Sequence, residues 1–344
     1  MSIMKVAVFN DTRTSRGHFG CHVVMRSLEI SLRGAGIEPV WFWPVAKDWR
    51  AHHNDLPRKG SVDAVIVNGE GTIHHSELNQ WAEILADVAE FSREHLSVPA
   101  FLINATLCNN SSRLYKKLSN FDMLFVRDSA SLAELESNGL KGVVVPDLTF
   151  ALQEEGVGKR VRQGVGSTDS VIGKVSRETF AASKSFGWEF MTMVDPKISK
   201  LGFRDVLNPR VFAAKVKGEI SRIGYPKQRS CKNPEAFLDW LKSKELVVTG
   251  RYHAVTLALL TRTPFIAIES NTPKISFLLQ DVFGSKKRVI SDVSELSEMD
   301  VHGYSSFDLD ECVAVNNFLI RARSECARMA ESIRDAVSSQ RPFA

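Results

Sequence analysis

Apolar residues in this chain come in short runs, and between the runs they recur every three or four positions. The alternation repeats through most of the length. The runs at residues 5–9, 38–43, 64–67, 100–103, 123–126 and 143–145 predict strands, and the periodic stretches 21–33, 77–94 and 129–138 predict the helices between them. Strands alternating with helices point to a doubly wound parallel sheet. After Pro146 the pattern fades into the charged, glycine-rich stretch 153–166, which reads as a linker. A second alternation follows, with strands expected at 171–175, 190–194, 246–248, 265–268 and 288–290 and a long helical tail over 310–338.

The chain is therefore expected to be α/β, with two Rossmann-like domains facing a cleft, a GT-B-like arrangement. The expected divisions are 1–150, an acceptor-side domain; 151–165, a linker; 166–309, a donor-binding domain; and 310–344, a helical tail. A length of 344 residues suits two cores. The apolar runs are strand-sized and the first begins at Lys5, with no apolar leader before it, so a cytoplasmic location, at most peripheral to a membrane, is expected. Five dispersed cysteines without a Cys-x-x-Cys pair fit a reducing compartment. A net charge of +4, spread along the chain, favours small anions or an anionic membrane surface and not nucleic acid.

Chemistry concentrates where strands hand over to helices, because backbone N–H groups and side chains there face one crevice. Thr249-Gly-Arg-Tyr-His-Ala-Val places Arg251 and His253 at the start of a helix. On a regular helix two positions apart they diverge by roughly 200°, so they share a ligand only if the first turn is irregular. Lys274 follows the next strand and adds an ammonium at the same edge. These three suggest an anion site, with structural capping as the alternative.

In the first half, the loop after the first strand carries Arg13, Arg16, His18 and His22, with glycines at 17 and 20, but no Walker or full Gly-x-Gly-x-x-Gly pattern. His18, Cys21 and His22 have zinc-like spacing; no fourth ligand lies nearby, and no metal is expected. Asn68-Gly-Glu-Gly-Thr-Ile-His-His puts Glu70 on a flexible turn, where it could serve as a base or cap the next helix, and offers His74 and His75 as acid/base or solvent-facing groups. Arg127 ends a strand before Asp128, an expected helix cap, and Asp147 ends another as a catalytic group or the start of the linker.

The segment Thr249-Gly-Arg-Tyr-His-Ala-Val-Thr-Leu-Ala-Leu, with Pro264 and Lys274, resembles the C-terminal motif of the polysaccharide pyruvyl transferases. Phe125-Val-Arg-Asp-Ser-Ala-Ser and Asn68-Gly-Glu-Gly resemble that family's Arg-Asp/Glu-x-x-Ser segment and Gly-rich turn, in the same order. The family's Asn-x-Gly-Asp is here Gly17-His-Phe-Gly-Cys-His, and its Asp-Pro-Ala-Phe is Pro146-Asp-Leu-Thr-Phe. The resemblance implies a GT-B-like fold and transfer of a pyruvyl group from phosphoenolpyruvate to two sugar hydroxyls as a ketal, in the assembly of capsule, lipopolysaccharide or exopolysaccharide. It implies that Arg251, Lys274 and Arg127 hold the donor and that His253 is the acid or a phosphate ligand. Glu70 as base, and Arg16, His18, His22 and His74 as substrate contacts, are our additions from the residues. No cofactor beyond the donor is expected, and the partners are an anionic donor and a saccharide acceptor, lipid-linked or not. The alternatives are a GT-B glycosyltransferase using a nucleotide-activated, CMP-linked acidic sugar, and a sugar- or anion-binding module without catalysis.

Overall fold

The computed structural model describes residues 3–14, 18–152, 161–193, 229–231 and 233–340. Its first half is a six-stranded parallel sheet of β1 (Met4–Asp11), β2 (Ile37–Pro44), β3 (Ala64–Glu70), β4 (Ala100–Ala105), β5 (Met123–Val126) and β6 (Val143–Val144), in the order β2-β1-β3-β4-β5-β6. Helices α1 (Phe19–Gly34), α2 (Gln80–Phe91), α3 (Ser112–Leu118) and α4 (Ser129–Ser137) connect these strands. Every residue of β3 and β4 is buried, as expected for central strands covered on both faces. The chain leaves β1 for β2 on one side and returns to β3 on the other. The pairing of Val6 with Ala64 through Phe9 with Val67 is therefore a topological switch point.

The second half repeats the design with β7 (Val165–Ser170), β8 (Glu189–Thr192), β9 (Arg229–Ser230), β10 (Leu246–Gly250), β11 (Phe265–Ile268) and β12 (Val289–Ile290). Their order is β12-β11-β10-β7-β8-β9, again all parallel, with the switch point between β7 and β10. The helices here are α5 (Gly173–Phe186), α6 (Pro234–Lys242), α7 (Tyr252–Leu260) and α8 (Lys274–Phe283).

Several expectations need correction. The strand expected at 171–175 lies earlier, as β7, and α5 starts at Gly173; the glycines and Ser-Thr-Asp-Ser of this stretch disguise a strand whose six residues are all buried. The expected linker consequently overlaps the start of β7 at Val165, while its first residue, Ala151, closes a 3-10 turn (Leu148–Ala151) packed on α1. Val194 and residues 153–160 of the linker lie outside the described residues. The helix expected over 77–94 begins only at Gln80, where the Asn79 side chain accepts the Trp81 N–H, and ends in a π turn (Ser92–Leu96). The short β9 was not expected.

The tail is α9 (Leu309–Gln340), 32 residues and therefore about 48 Å long. Its apolar stripe is shared between the halves. Val315, Phe318, Leu319 and Ala322 join the core around α7 and β10, whereas Cys326, Met329, Ala330, Ile333 and Val337 join the core beneath β1 and β3. One helical face thus packs on both sheets.

At its start α9 is held by the buried pair Arg288–Glu311, in which Nε donates to Oε1 and Nη2 to Oε2, each at 2.7 Å. The same guanidinium donates to the carbonyls of Phe265, Tyr304 and Ser306. Burial works against ionisation of Glu311, but the Arg288 bonds outweigh it and hold its carboxyl below the usual range. Removing one partner strands the other, so Arg288→Ala is expected to cost about 3–5 kcal/mol in denaturant unfolding. Because the native pKa is depressed, the pair's contribution is complete above the ordinary carboxylate range and fades as pH falls through and below it. A mutant penalty that stays constant into acid would count against this account.

Candidate functional site

Both switch points carry polar side chains at the carboxyl ends of their strands. In the first sheet Thr12, just beyond β1, donates through Oγ1 to Glu70 Oε1 at 2.7 Å across the switch. Asn68 Nδ2 donates to the same oxygen at 3.1 Å, and the Cys21 thiol stands 3.5 Å from Glu70 Oε2. Glu70 is thus a buried strand end, 5% exposed and at φ 38°, and not the flexible turn expected. It caps no helix, since the next one is capped by Asn79.

In the second sheet the equivalent position joins Asp169, from β7, to Arg251, just after β10. Arg251 Nε donates to Asp169 Oδ2 at 3.1 Å and Nη2 donates to the same oxygen. Asp169 also accepts the Met193 N–H. Arg251 is the N-cap of α7 with extended backbone (φ −107°, ψ 122°), so the first turn is irregular. His253 nevertheless points elsewhere. The two side chains have no common partner among the described residues: Arg251 reaches Asp169, whereas His253 reaches toward the first half.

That reach needs space. A Cβ on Gly20, in the first turn of α1, would lie 2.3 Å from His253 Cβ and 2.6 Å from its Nδ1, so only glycine lets this helix start lie against α7. His253 is 7% exposed, and its Nε2 stands 3.8 Å from Asp147 Oδ2, beyond hydrogen-bond length and with no other partner among the described residues. Asp147 is fully buried; its Oδ2 accepts from Arg127 Nη1 at 3.0 Å and its Oδ1 from the Thr149 N–H and hydroxyl. Burial alone would raise the Asp147 pKa, but His253, Arg127 and the Thr149 N–H overcome it and hold the carboxyl well below the usual range. Asp147 is therefore a buried carboxylate that caps the turn Leu148–Ala151 and does not begin the linker. Arg127, 2% exposed, also donates from Nε to Thr106 Oγ1 and lies 4.1 Å over the ring of Tyr252. Asp128 caps α4 as expected.

Lys274, the first residue of α8, completes the cluster. A Cβ on Gly71 would lie 3.7 Å from Lys274 Nζ and 3.9 Å from Arg127 Nη2, so both cations face the Gly-rich turn. Among the described residues Lys274 has no ion-pair partner. Burial first, then the charges of Arg127 and Arg251, bring its ammonium down to about 8. His74, near the same turn, is brought down to about 4 by burial, Lys274 and His75, to which its Nδ1 lies 2.9 Å away. His75 is further tied to Asn109, so neither histidine simply faces solvent.

His18 is held well below the usual imidazole range by burial and by the charges of Arg251, His253 and Lys274; its Nδ1 is buried without a partner among the described residues. His22 instead lines a groove with Arg26, Glu29 and Pro234. His18 precedes the helix with extended backbone (φ −75°, ψ 106°), so the expected i, i+4 face does not form. Arg16 lies outside the described residues, and Arg13 is bound to Asp11 and Glu29. Sequence reasoning missed Asp169 and Tyr252. Placing the strand at 171–175 left Asp169 between the expected linker and that strand, and nothing in the spacing marked Tyr252.

The polysaccharide pyruvyl transferase family profile matches residues 18–272, a stretch that includes Glu70, Arg127, Asp147, Asp169, Arg251 and His253. No protein with a curated description matches in sequence. Similar solved structures include the Methanocaldococcus jannaschii UDP-GlcNAc 2-epimerase in complex with UDP-GlcNAc and UDP, at 13% identity and TM-score 0.55, covering 98% of this chain and 100% of that one. The S. aureus MnaA–UDP structure aligns at 11% identity and TM-score 0.55, covering 99% and 100%. An α,α-trehalose-phosphate synthase (UDP-forming) from Burkholderia vietnamiensis aligns at 12% identity and TM-score 0.51, covering 98% and 100%. At such identities these likenesses establish the two-sheet GT-B fold alone. The family match spans well over half of the length, and so this chain is a member of the polysaccharide pyruvyl transferase family, a transferase on a GT-B scaffold.

Proposed function

We propose that this protein transfers the pyruvyl group of phosphoenolpyruvate to two hydroxyls of a sugar in the cytoplasmic stages of surface-polysaccharide assembly. The observation that carries the reading is the cation cluster at the meeting of the two sheets. Lys274 and Arg127 face the Gly71 turn, and Arg251 stands close enough to Lys274 to depress its pKa. A donor with a phosphate and a carboxylate suits such a cluster, because charge-assisted bonds to partly buried groups are stronger than in water.

In the proposed reaction the donor's methylene carbon takes a proton, and C2 becomes electrophilic. One sugar hydroxyl adds to C2, phosphate leaves with its C–O electron pair, and the second hydroxyl closes the ketal. Of the two hydroxyl protons, one restores the acid that protonated the methylene and the other leaves with phosphate or solvent. His253 is the proposed acid, since its Nε2 is uncommitted among the described residues and stands 3.8 Å from Asp147. Lys274 is the proposed phosphate ligand, and Arg127 Nη2 and Arg251 support the donor's remaining charge. Glu70 is the proposed base; its buried, triply contacted carboxylate would act through Thr12, whose hydroxyl it accepts. His74, neutral at neutral pH, is placed as an acceptor contact.

The test incubates the protein with phosphoenolpyruvate and saccharide acceptors, following phosphate release and the mass of the sugar product. Phosphate release that requires the acceptor, with a pyruvyl ketal in the product, is expected. Because neighbours of the same fold were solved with UDP, nucleotide sugars form the second arm. Nucleotide release with sugar transfer, and no turnover of phosphoenolpyruvate, would sink the proposal.

Two variants probe the site. Lys274→Met is expected to raise KM for phosphoenolpyruvate roughly ten- to hundredfold, the loss of one charge-assisted bond. In the native protein the ammonium is charged below about pH 8, so KM should rise as pH passes above that value, and Lys274→Arg should abolish the inflection. A flat KM profile in the native enzyme would remove Lys274 from the donor site. Gly20→Ala, which forces a Cβ against His253, is expected to lower kcat at least tenfold. Normal kcat in this variant would mean that the position of His253 is immaterial to turnover.

A further inference from the structure

The start of α1 and the start of α7 bring together three side chains of a kind that binds soft or borderline metal ions. His18, Cys21 and His253 each offer a ligand atom, and the three atoms lie within 4.8 Å of one another. We propose that they form a binding site for one divalent metal ion of the zinc class, at the seam between the two halves of the molecule.

Three further observations support the site. The Nδ1 of His18 is a buried polar atom without a hydrogen-bond partner among the described residues, and His253 is more than nine-tenths buried. Orphaned buried nitrogens are uncommon and call for a partner. The imidazole of His253 also has distinct neighbours on its two nitrogens. Nε2 is the one that faces Asp147, at 3.8 Å, while Nδ1 lies on the side of Gly20, between His18 and Cys21 in the chain. A carboxylate behind one imidazole nitrogen commonly orients the other toward a metal. Finally, the nearest carboxylate to the thiol is at hand: Glu70 Oε2 stands 3.5 Å from Cys21 Sγ.

The geometry needs little adjustment. Zinc bonds of about 2.3 Å to sulfur and about 2.0–2.1 Å to nitrogen place adjacent ligand atoms of a tetrahedron about 3.2–3.8 Å apart. The trio therefore has to contract by roughly 1 Å at its widest, which rotation of the side chains of His18 and Cys21 can supply. Two imidazoles and a thiolate favour zinc, cobalt or nickel over magnesium or calcium. On binding, the Cys21 thiol proton passes to solvent, and the thiolate together with Glu70 and Asp147 balances the ion beside the cations Arg251 and Lys274. Three protein ligands leave a fourth position for a water.

The site differs from the one expected from spacing alone, which would have used His22. A helix face cannot join His18 to His22 because His18 precedes the helix; the third ligand comes instead from residue 253, across the seam. The inference does not depend on the identity of the donor, but it competes with the role proposed for His253, since an imidazole that ligates an ion through Nδ1 carries one proton and not two.

Titration of the metal-stripped full-length protein with Co2+ tests it. We expect one equivalent to bind with a near-ultraviolet thiolate-to-cobalt charge-transfer band and the intense visible bands of a tetrahedral ion, both bleached by Zn2+. Cys21→Ser should abolish the charge-transfer band, and His18→Gln should weaken cobalt binding at least tenfold, in variants whose circular dichroism matches the parent. Absence of the band, or its survival in Cys21→Ser, would overturn the proposal; survival would place the ion on another cysteine, such as the exposed Cys312. Turnover of phosphoenolpyruvate is measured separately, so failure of the metal site and failure of the proposed reaction are distinguishable.

Discussion

The carboxylate of Asp147, enclosed completely in the seam between the two sheets, is the constraint around which the rest is arranged. A buried anion without partners costs several kcal/mol, and it is tolerated only where cations and N–H groups surround it. Its hydrogen bonds come from the first half, from Arg127 at the end of β5 and from Thr149 in the turn that follows, while His253 of α7 stands 3.8 Å away. Docking of the halves therefore adds an imidazole beside an anion already held from one side. Arg127 reinforces the docking by lying over Tyr252, beside His253 in the chain.

The chemistry lies against this seam and borrows its rigidity. Glu70, at the end of β3, and Asp169, in β7, lie on opposite strands of the two switch points, and each accepts from a side chain just beyond the neighbouring strand. Arg127 and Arg251 are both held by carboxylates, which fixes their direction and partly cancels their charge. Lys274, lacking such a partner among the described residues, is left as the ammonium most responsive to an incoming anion, and burial first, then the neighbouring cations, bring its pKa to about 8. Long-range order comes from α9, whose single apolar face packs on both cores and whose start is tied by Arg288 and Glu311.

The sequence by itself determined the alternation of strands and helices, the division into two parallel sheets, and the positions of Arg127, Arg251, His253 and Lys274 at strand ends. These follow from local burial, which leaves a period of two or of about 3.6 in any single chain. It also carried, through motif order, the resemblance that the family match supports. Where polar residues are buried the signal failed: β7, rich in serine, threonine and glycine, read as the edge of a linker. Only the tertiary structure decided that Gly20 makes room for His253, that Asp147 and Asp169 are the anions behind the two arginines, and that His18 and Cys21 meet residue 253 rather than His22. The physical reason is that each of these contacts joins residues far apart in sequence through the docking of two sheets, and spacing along the chain carries no record of that distance.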